Sequence, residues 1–140
     1  MSKRNTTPNI VNVPLNDLGR HVGSVRSELL DATRRVADSG WFILGPETEA
    51  FETSFAEFCG VEHCIGVANG SDALVLALKS LGCGQGDEVA TVANAGGYAS
   101  IAIMATGAKP VYIDIEANTL NMSSTSLRDK ITLKTKAVVV

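Results

Sequence analysis

The sequence predicts an α/β fold, a mostly parallel sheet covered by helices. Two observations carry that prediction. From residue 62 onward, short apolar runs alternate with helical patterns, the order expected of parallel strands joined by helices. The runs are also apolar throughout, with no polar residue at every second place, as befits strands buried on both faces.

Taken in order, residues 1–10 are polar, hold Lys3, Arg4 and Pro8, and read as a flexible N-terminal arm; residues 11–140 read as the folded portion. No apolar stretch follows the arm, so no secretory signal is expected. Asn16 and Asp17 are good N-cap residues. After them Leu18, Val22, Val25, Leu29, Ala32 and Val36 recur at spacings of three and four, one amphipathic helix broken near Ser39-Gly40. Trp41 to Leu44 is a short apolar stretch ending at Gly45-Pro46. Pro46 suits the first position of a second helix, in which Phe51, Phe55 and Phe58 are expected on the buried face and Gly60 as the stop.

The first strand is expected at Cys64–Ala68, followed by a turn at Asn69-Gly70-Ser71 and a helix from Asp72 to Leu81, closed by Gly82. A second strand is expected at Val89–Ala93, a helix at Tyr98–Thr106 with Gly107 ending it, and a third strand at Pro110–Ile115. A short helix at Ser124–Lys130 and a strand beginning at Ala137 complete the pattern. The closing Val138-Val139-Val140 run reads as a central buried strand. Strands of that kind need neighbours and a connection onward, so the chain is expected to be the N-terminal piece of a longer protein.

Composition narrows the functional classes. Twelve Lys and Arg against 15 Asp and Glu give a net charge of −3, with 45% apolar and 19% charged residues. That balance is globular, and without a basic tract it offers no electrostatic reason to bind nucleic acid or an anionic membrane. Three cysteines, Cys59, Cys64 and Cys83, form no C-x-x-C pair, so a disulfide framework or zinc site is not expected, and a cytoplasmic setting is. Val89–Ala108 has no formal charge and the length of a bilayer span, but its Gly, Asn and Ser content reads better as strand, turn and helix.

The strongest site candidate is Ala68-Asn69-Gly70-Ser71-Asp72-Ala73-Leu74, between a strand and the helix after it. Gly70 lets the backbone approach a ligand. The amides that follow, the positive end of the helix dipole and the Ser71 hydroxyl suit a phosphate. The alternative is that Ser71 or Asp72 only caps the helix. Gly82-Cys83-Gly84-Gln85-Gly86 resembles a dinucleotide loop superficially, but it follows a helix and precedes a strand, the wrong polarity for one. Asp114 and Glu116 lie at a strand's carboxyl end, where paired carboxylates do acid-base work or hold a metal; a strand-end turn is the simpler account. His21 and His63 lack ligand spacing. Cys64 beside His63 invites a catalytic reading, but neighbours on a strand point to opposite faces, so a buried thiol is expected.

Several segments, in one order, resemble the DegT/DnrJ/EryC1/StrS aminotransferase family. Ser39-Gly40-Trp41-Phe42-Ile43-Leu44-Gly45-Pro46-Glu47 is similar to its "SG-x-(aromatic)-ILGPE" segment, and Phe51-Glu52 with Phe55-Ala56 to its "FE-x-x-FA" helix. Cys59 to Leu74 resembles "CGV-x-HC-x-GVANG(T/S)DAL", Gly86 to Val89 "GDEV", and Gly107 to Ile115 "GA-x-PV-(aromatic)-x-D-(I/V)". Thr132 to Ala137 resembles part of "IT-x-KTKA", so the likeness covers roughly residues 11–140.

The resemblance implies the N-terminal part of a fold type I, pyridoxal-phosphate-dependent transferase. Most members move an amino group, usually from glutamate, onto a nucleotide-linked keto sugar, and intact members are homodimers. In the family the Gly-Thr/Ser-Asp segment contacts the cofactor phosphate, which carries over to Gly70, Ser71 and Asp72. Two departures follow. The family's ring-stacking aromatic is expected at Gly96. Tyr98 is the nearest substitute, and it either stacks on the cofactor or packs on the following helix. The lysine that anchors the cofactor lies beyond residue 140 in the family, and none of Lys3, Lys79, Lys109, Lys130, Lys134 and Lys136 falls on its motif. Residues 1–140 alone are therefore not expected to transaminate. Relatives with His at that place dehydrate a sugar, which is the alternative reading; a non-catalytic binding or regulatory protein is the alternative from another class.

Overall fold

In the computed structural model, which describes residues 13–140, the chain divides into two units at Cys64 and Ile65. The expected arm, residues 1–10, lies outside the described residues.

The first unit is helical. Helix α1 spans Leu18–Ser24 and α2 spans Arg26–Ser39. Asp17 caps α1 by accepting the Arg20 amide at 2.9 Å. The single helix expected here is two, because the turn closes poorly around Val25 (φ −119°, ψ 16°). Gly19 and Gly23 weaken α1, and the Ser24 hydroxyl donates to the His21 carbonyl at 2.7 Å, competing with the backbone ladder. Gly40 ends α2 in the left-handed region, as expected. Helix α3, Pro46–Cys59, starts at Pro46 and stops at left-handed Gly60.

The apolar stripe of these helices is only partly covered. Val22, Ala32 and Val36 are half-buried, while Leu18 and Leu29 are exposed. Phe51, Phe55 and Phe58, expected in the core, are exposed as well, with Phe58 at 86%. Their rings lean on one another at centroid distances of 5.5 and 6.2 Å. Helices of 7, 14 and 14 residues, with no strand among the described residues of this unit, give too little surface to cover three phenyl rings. A bidentate pair ties α2 to α3. Arg35 Nε donates to Glu47 Oε1 at 2.6 Å and Nη2 to Oε2 at 2.8 Å. The hydrogen bond from Arg35 holds the Glu47 carboxyl below the usual glutamate range.

The second unit holds the sheet. Helix α4 (Gly70–Ser80) precedes β1 (Glu88–Val92); then come α5 (Tyr98–Thr106), β2 (Lys109–Ile113), α6 (Ser124–Lys130) and β3 (Thr135–Val138). The three strands are parallel in the order β2-β1-β3. Glu88 to Val92 align with Lys109 to Ile113 on one side, and Ala90 aligns with Val138 on the other. Continuous burial is realised in β1, where Val89 and Ala90 are 0% exposed. The core gathers Leu78 from α4, Val89 from β1, and Ala102 and Ile103 from α5.

Two strand expectations change. Cys64–Ala68 forms no strand, and Ile65 is 80% exposed. An apolar run becomes a strand only against a hydrogen-bonding neighbour, and among the described residues no ladder reaches it. The Val138–Val140 run, expected to be central, leads from an edge strand whose side chains are half-exposed and exposed in turn. Helices α5 and α6 occupy their expected bounds. Val89–Ala108 is strand, loop and helix, and no helix among the described residues is long and apolar enough to cross a membrane.

Ile103→Ala removes a fully buried side chain and is expected to cost about 2–5 kcal/mol, read as a lower urea midpoint at unchanged slope. The Arg35–Glu47 pair has a pH signature. Its contribution is complete above the unfolded glutamate pKa and is lost as pH falls through the lower folded value. Following the Glu47 carboxyl by NMR, Arg35→Gln is expected to return its titration to the ordinary range.

Candidate functional site

Helix α4 starts on Asn69, whose Oδ1 accepts the Asp72 amide N–H at 3.0 Å. Asparagine is among the strongest N-caps because its short side chain reaches that donor. Asn69 Nδ2 donates in return to Asp72 Oδ2 at 2.9 Å. The cap is thus Asn69, neither Ser71 nor Asp72, and the helix begins two residues earlier than expected. The Ala73 amide donates to the Asn69 carbonyl at 3.1 Å. Among the described residues, the amides of Gly70 and Ser71 and the Ser71 hydroxyl have no partner. These donors lie at the positive end of an 11-residue helix. A Cβ at Gly70 would meet nothing within 4 Å, so the backbone there borders open space.

Helix α5 supplies the opposite wall. It packs against α4 and begins at Tyr98, directly after the loop that leaves the carboxyl end of β1. Asn94 pins that loop by donating from Nδ2 to the Leu120 carbonyl at 2.9 Å. The Tyr98 ring is 65% exposed and folds back over Gly96. A Cβ at position 96 would lie 2.9 Å from Cδ2 and 3.0 Å from Cε2 of that ring. Tyr98 therefore fills the space that a side chain at 96 would enter. Together Asn69, Gly70, Ser71, Leu74 and Tyr98 line an open cavity of about 440 Å³.

The structure thus brings Gly70, Ser71 and Tyr98 to one cavity. Asp72 faces Asn69 and does not line it. Two unpaired amides, one hydroxyl and a phenol ring suit a ligand that joins an anion to a flat ring, so the residues present fit pyridoxal phosphate. Asn69 and Leu74 lie in the segment that the sequence singled out, but the cap was expected at Ser71 or Asp72 rather than at Asn69. The signal for Asn69 was there as N-x-x-D, a variant of the capping box.

The other candidates stand apart. Asp114 closes the end of β2 structurally: its Oδ2 accepts from Ser126 Oγ at 3.2 Å and Lys130 Nζ at 3.3 Å. The Glu116 amide donates to the Asn121 carbonyl at 2.9 Å in a turn. Gly82–Gly86 is a connecting turn, held by Lys136 Nζ donating to the Gly82 carbonyl at 2.9 Å. His63 and Cys64 share one wall of a concavity in the first unit with Glu49 and Glu57, so the opposite-face argument fails for want of a strand. Cys64 is half-buried, and the buried thiol is Cys83.

Comparison with known proteins decides the family. The model of the DegT/DnrJ/EryC1/StrS aminotransferase family matches residues 24–140. The chain belongs to that family. A dTDP-3-amino-3,6-dideoxy-alpha-D-galactopyranose transaminase of Aneurinibacillus thermoaerophilus is 42% identical over 91% of the chain and 35% of that protein. Among solved structures, Streptomyces venezuelae DesV in complex with a ketimine intermediate matches at TM-score 0.87 and 40% identity, over 90% of this chain and 34% of that one. NtdA of Bacillus subtilis with bound cofactor PMP matches at TM-score 0.86 and 29% identity, over 94% and 30%. The chain spans about a third of the length of these family members, and over that part it has their fold.

Gly96→Ala is expected to drive the exposed Tyr98 ring off its position while changing stability by no more than about 0.5 kcal/mol. A fluorotyrosine signal at position 98 and a thermal melt check both halves. An unshifted signal would mean that the ring does not depend on the empty space at 96.

Proposed function

We propose that the full-length protein containing this chain binds pyridoxal 5'-phosphate and transfers an amino group, from glutamate, to a nucleotide-linked keto sugar. The observation that carries this reading is the single cavity shared by the α4 N-terminus and Tyr98. Family membership supports it, as do the sugar transaminase named above and the PMP bound to the B. subtilis relative.

In this reading the Gly70 and Ser71 amides and the Ser71 hydroxyl donate to the cofactor phosphate, and Tyr98 covers a face of the ring. When bound, the cofactor supplies an electron sink that lets an amino group pass between donor and acceptor. The chain's own share is to hold the phosphate, orient the ring and keep water from one side of it. Among the described residues no lysine lines the cavity, so the anchoring lysine and the proton-moving base are assigned to the protein beyond Val140. A homodimer and a cytoplasmic setting complete the proposal, the latter supported by three free cysteines.

The test is an absorbance titration of the full-length protein with pyridoxal phosphate, followed by an amino-transfer assay on a dTDP-linked keto sugar. Ser71→Glu is expected to weaken cofactor binding by at least about tenfold, since it sets a carboxylate against the phosphate. Unchanged affinity would sink the phosphate assignment. Loss of water from the sugar without amino transfer would favour the dehydratase.

A further inference from the structure

We propose that Asp72 is a positioning residue: it fixes the Asn69 side chain and thereby decides which amides are left for an anion. The inference rests on the cofactor site proposed above. Asn69 uses both ends of its amide on one residue, Oδ1 accepting the Asp72 N–H at 3.0 Å and Nδ2 donating to Asp72 Oδ2 at 2.9 Å. Only one of the two amide orientations satisfies both partners. An ionised carboxylate accepts and never donates, and a backbone N–H donates and never accepts. A flipped Asn69 would set oxygen against carboxylate and N–H against N–H.

The consequence reaches the cavity. With Asn69 held, the Asp72 amide is occupied by the cap and the Ala73 amide by the Asn69 carbonyl. Gly70 and Ser71 are left as adjacent donors on the cavity wall. The Asp72 charge is turned toward Asn69 and off the lining. A carboxylate touching the anion would repel it, whereas this one acts through Asn69. The charge is therefore dispensable and the acceptor oxygen is not.

The experiment measures affinity of the full-length protein for pyridoxal phosphate, with inorganic phosphate as competitor. Asp72→Asn keeps an acceptor for Nδ2 and is expected to bind within about twofold of the parent, or more tightly. Asp72→Ala removes it and is expected to weaken binding by roughly tenfold, the scale of one hydrogen bond to a charged group. Asn69→Gly leaves a tolerated cap with no amide to orient, and should lose as much as Asp72→Ala. The double variant should lose no more than either, the mark of two residues acting through each other. If Asp72→Asn is as weak as Asp72→Ala, or the two losses add, or Asp72→Ala binds normally, Asp72 does not position the cap and the inference falls. Ser71→Glu separates the two readings. Tight binding by that variant overturns the phosphate site itself, whereas its failure beside normal binding by Asp72→Ala overturns only the role given to Asp72.

Discussion

Everything in the second unit hangs on β1. A parallel strand buried on both faces must find hydrogen-bond partners along both edges and apolar cover above and below. Strands β2 and β3 take the edges, while α4 and α5 contribute Leu78, Ala102 and Ile103 to the cluster around Val89. The order β2-β1-β3 also makes β1 the strand from which the chain first departs to one side and later returns to the other. Sheets of this kind place their ligands at the carboxyl ends of such strands.

That demand also builds the site. Helices α4 and α5 pack together, and their N-terminal residues line one cavity. One brings uncapped amides and a hydroxyl; the other brings an aromatic ring. The loop between β1 and α5 is held at a distance by the Asn94 side chain on the Leu120 carbonyl, so the ring's position depends on a turn 26 residues downstream.

Much of the fold was legible in local signals. Pro46 and Gly60 bracket α3, Gly40 and Gly107 mark the ends of α2 and α5, and each signal acts within one turn of its own helix. What was not legible depended on partners. Cys64–Ala68 has strand composition without a strand's neighbour, and the phenyl rings of α3 have a helical stripe without an opposing surface. The division of α1 from α2 turns on a competition between a serine hydroxyl and the backbone that a periodicity count does not see. At the site, motif likeness pointed to Gly70, Ser71 and Asp72, and the departure from the motif at Gly96 pointed to Tyr98. It did not reveal that Asn69 takes the capping role, nor that Tyr98 and Gly96 share one volume.

That shared volume constrains how such a gene can change. A ring rooted at position 98 and any side chain at 96 compete for the same few cubic ångströms. A lineage cannot move its aromatic residue from one root to the other in a single step while keeping both in place. It must pass through a protein whose ring has been pushed aside or through one with no ring there at all. The two arrangements are separate solutions with a poor intermediate between them, and the glycine at 96 is what commits this chain to one of them.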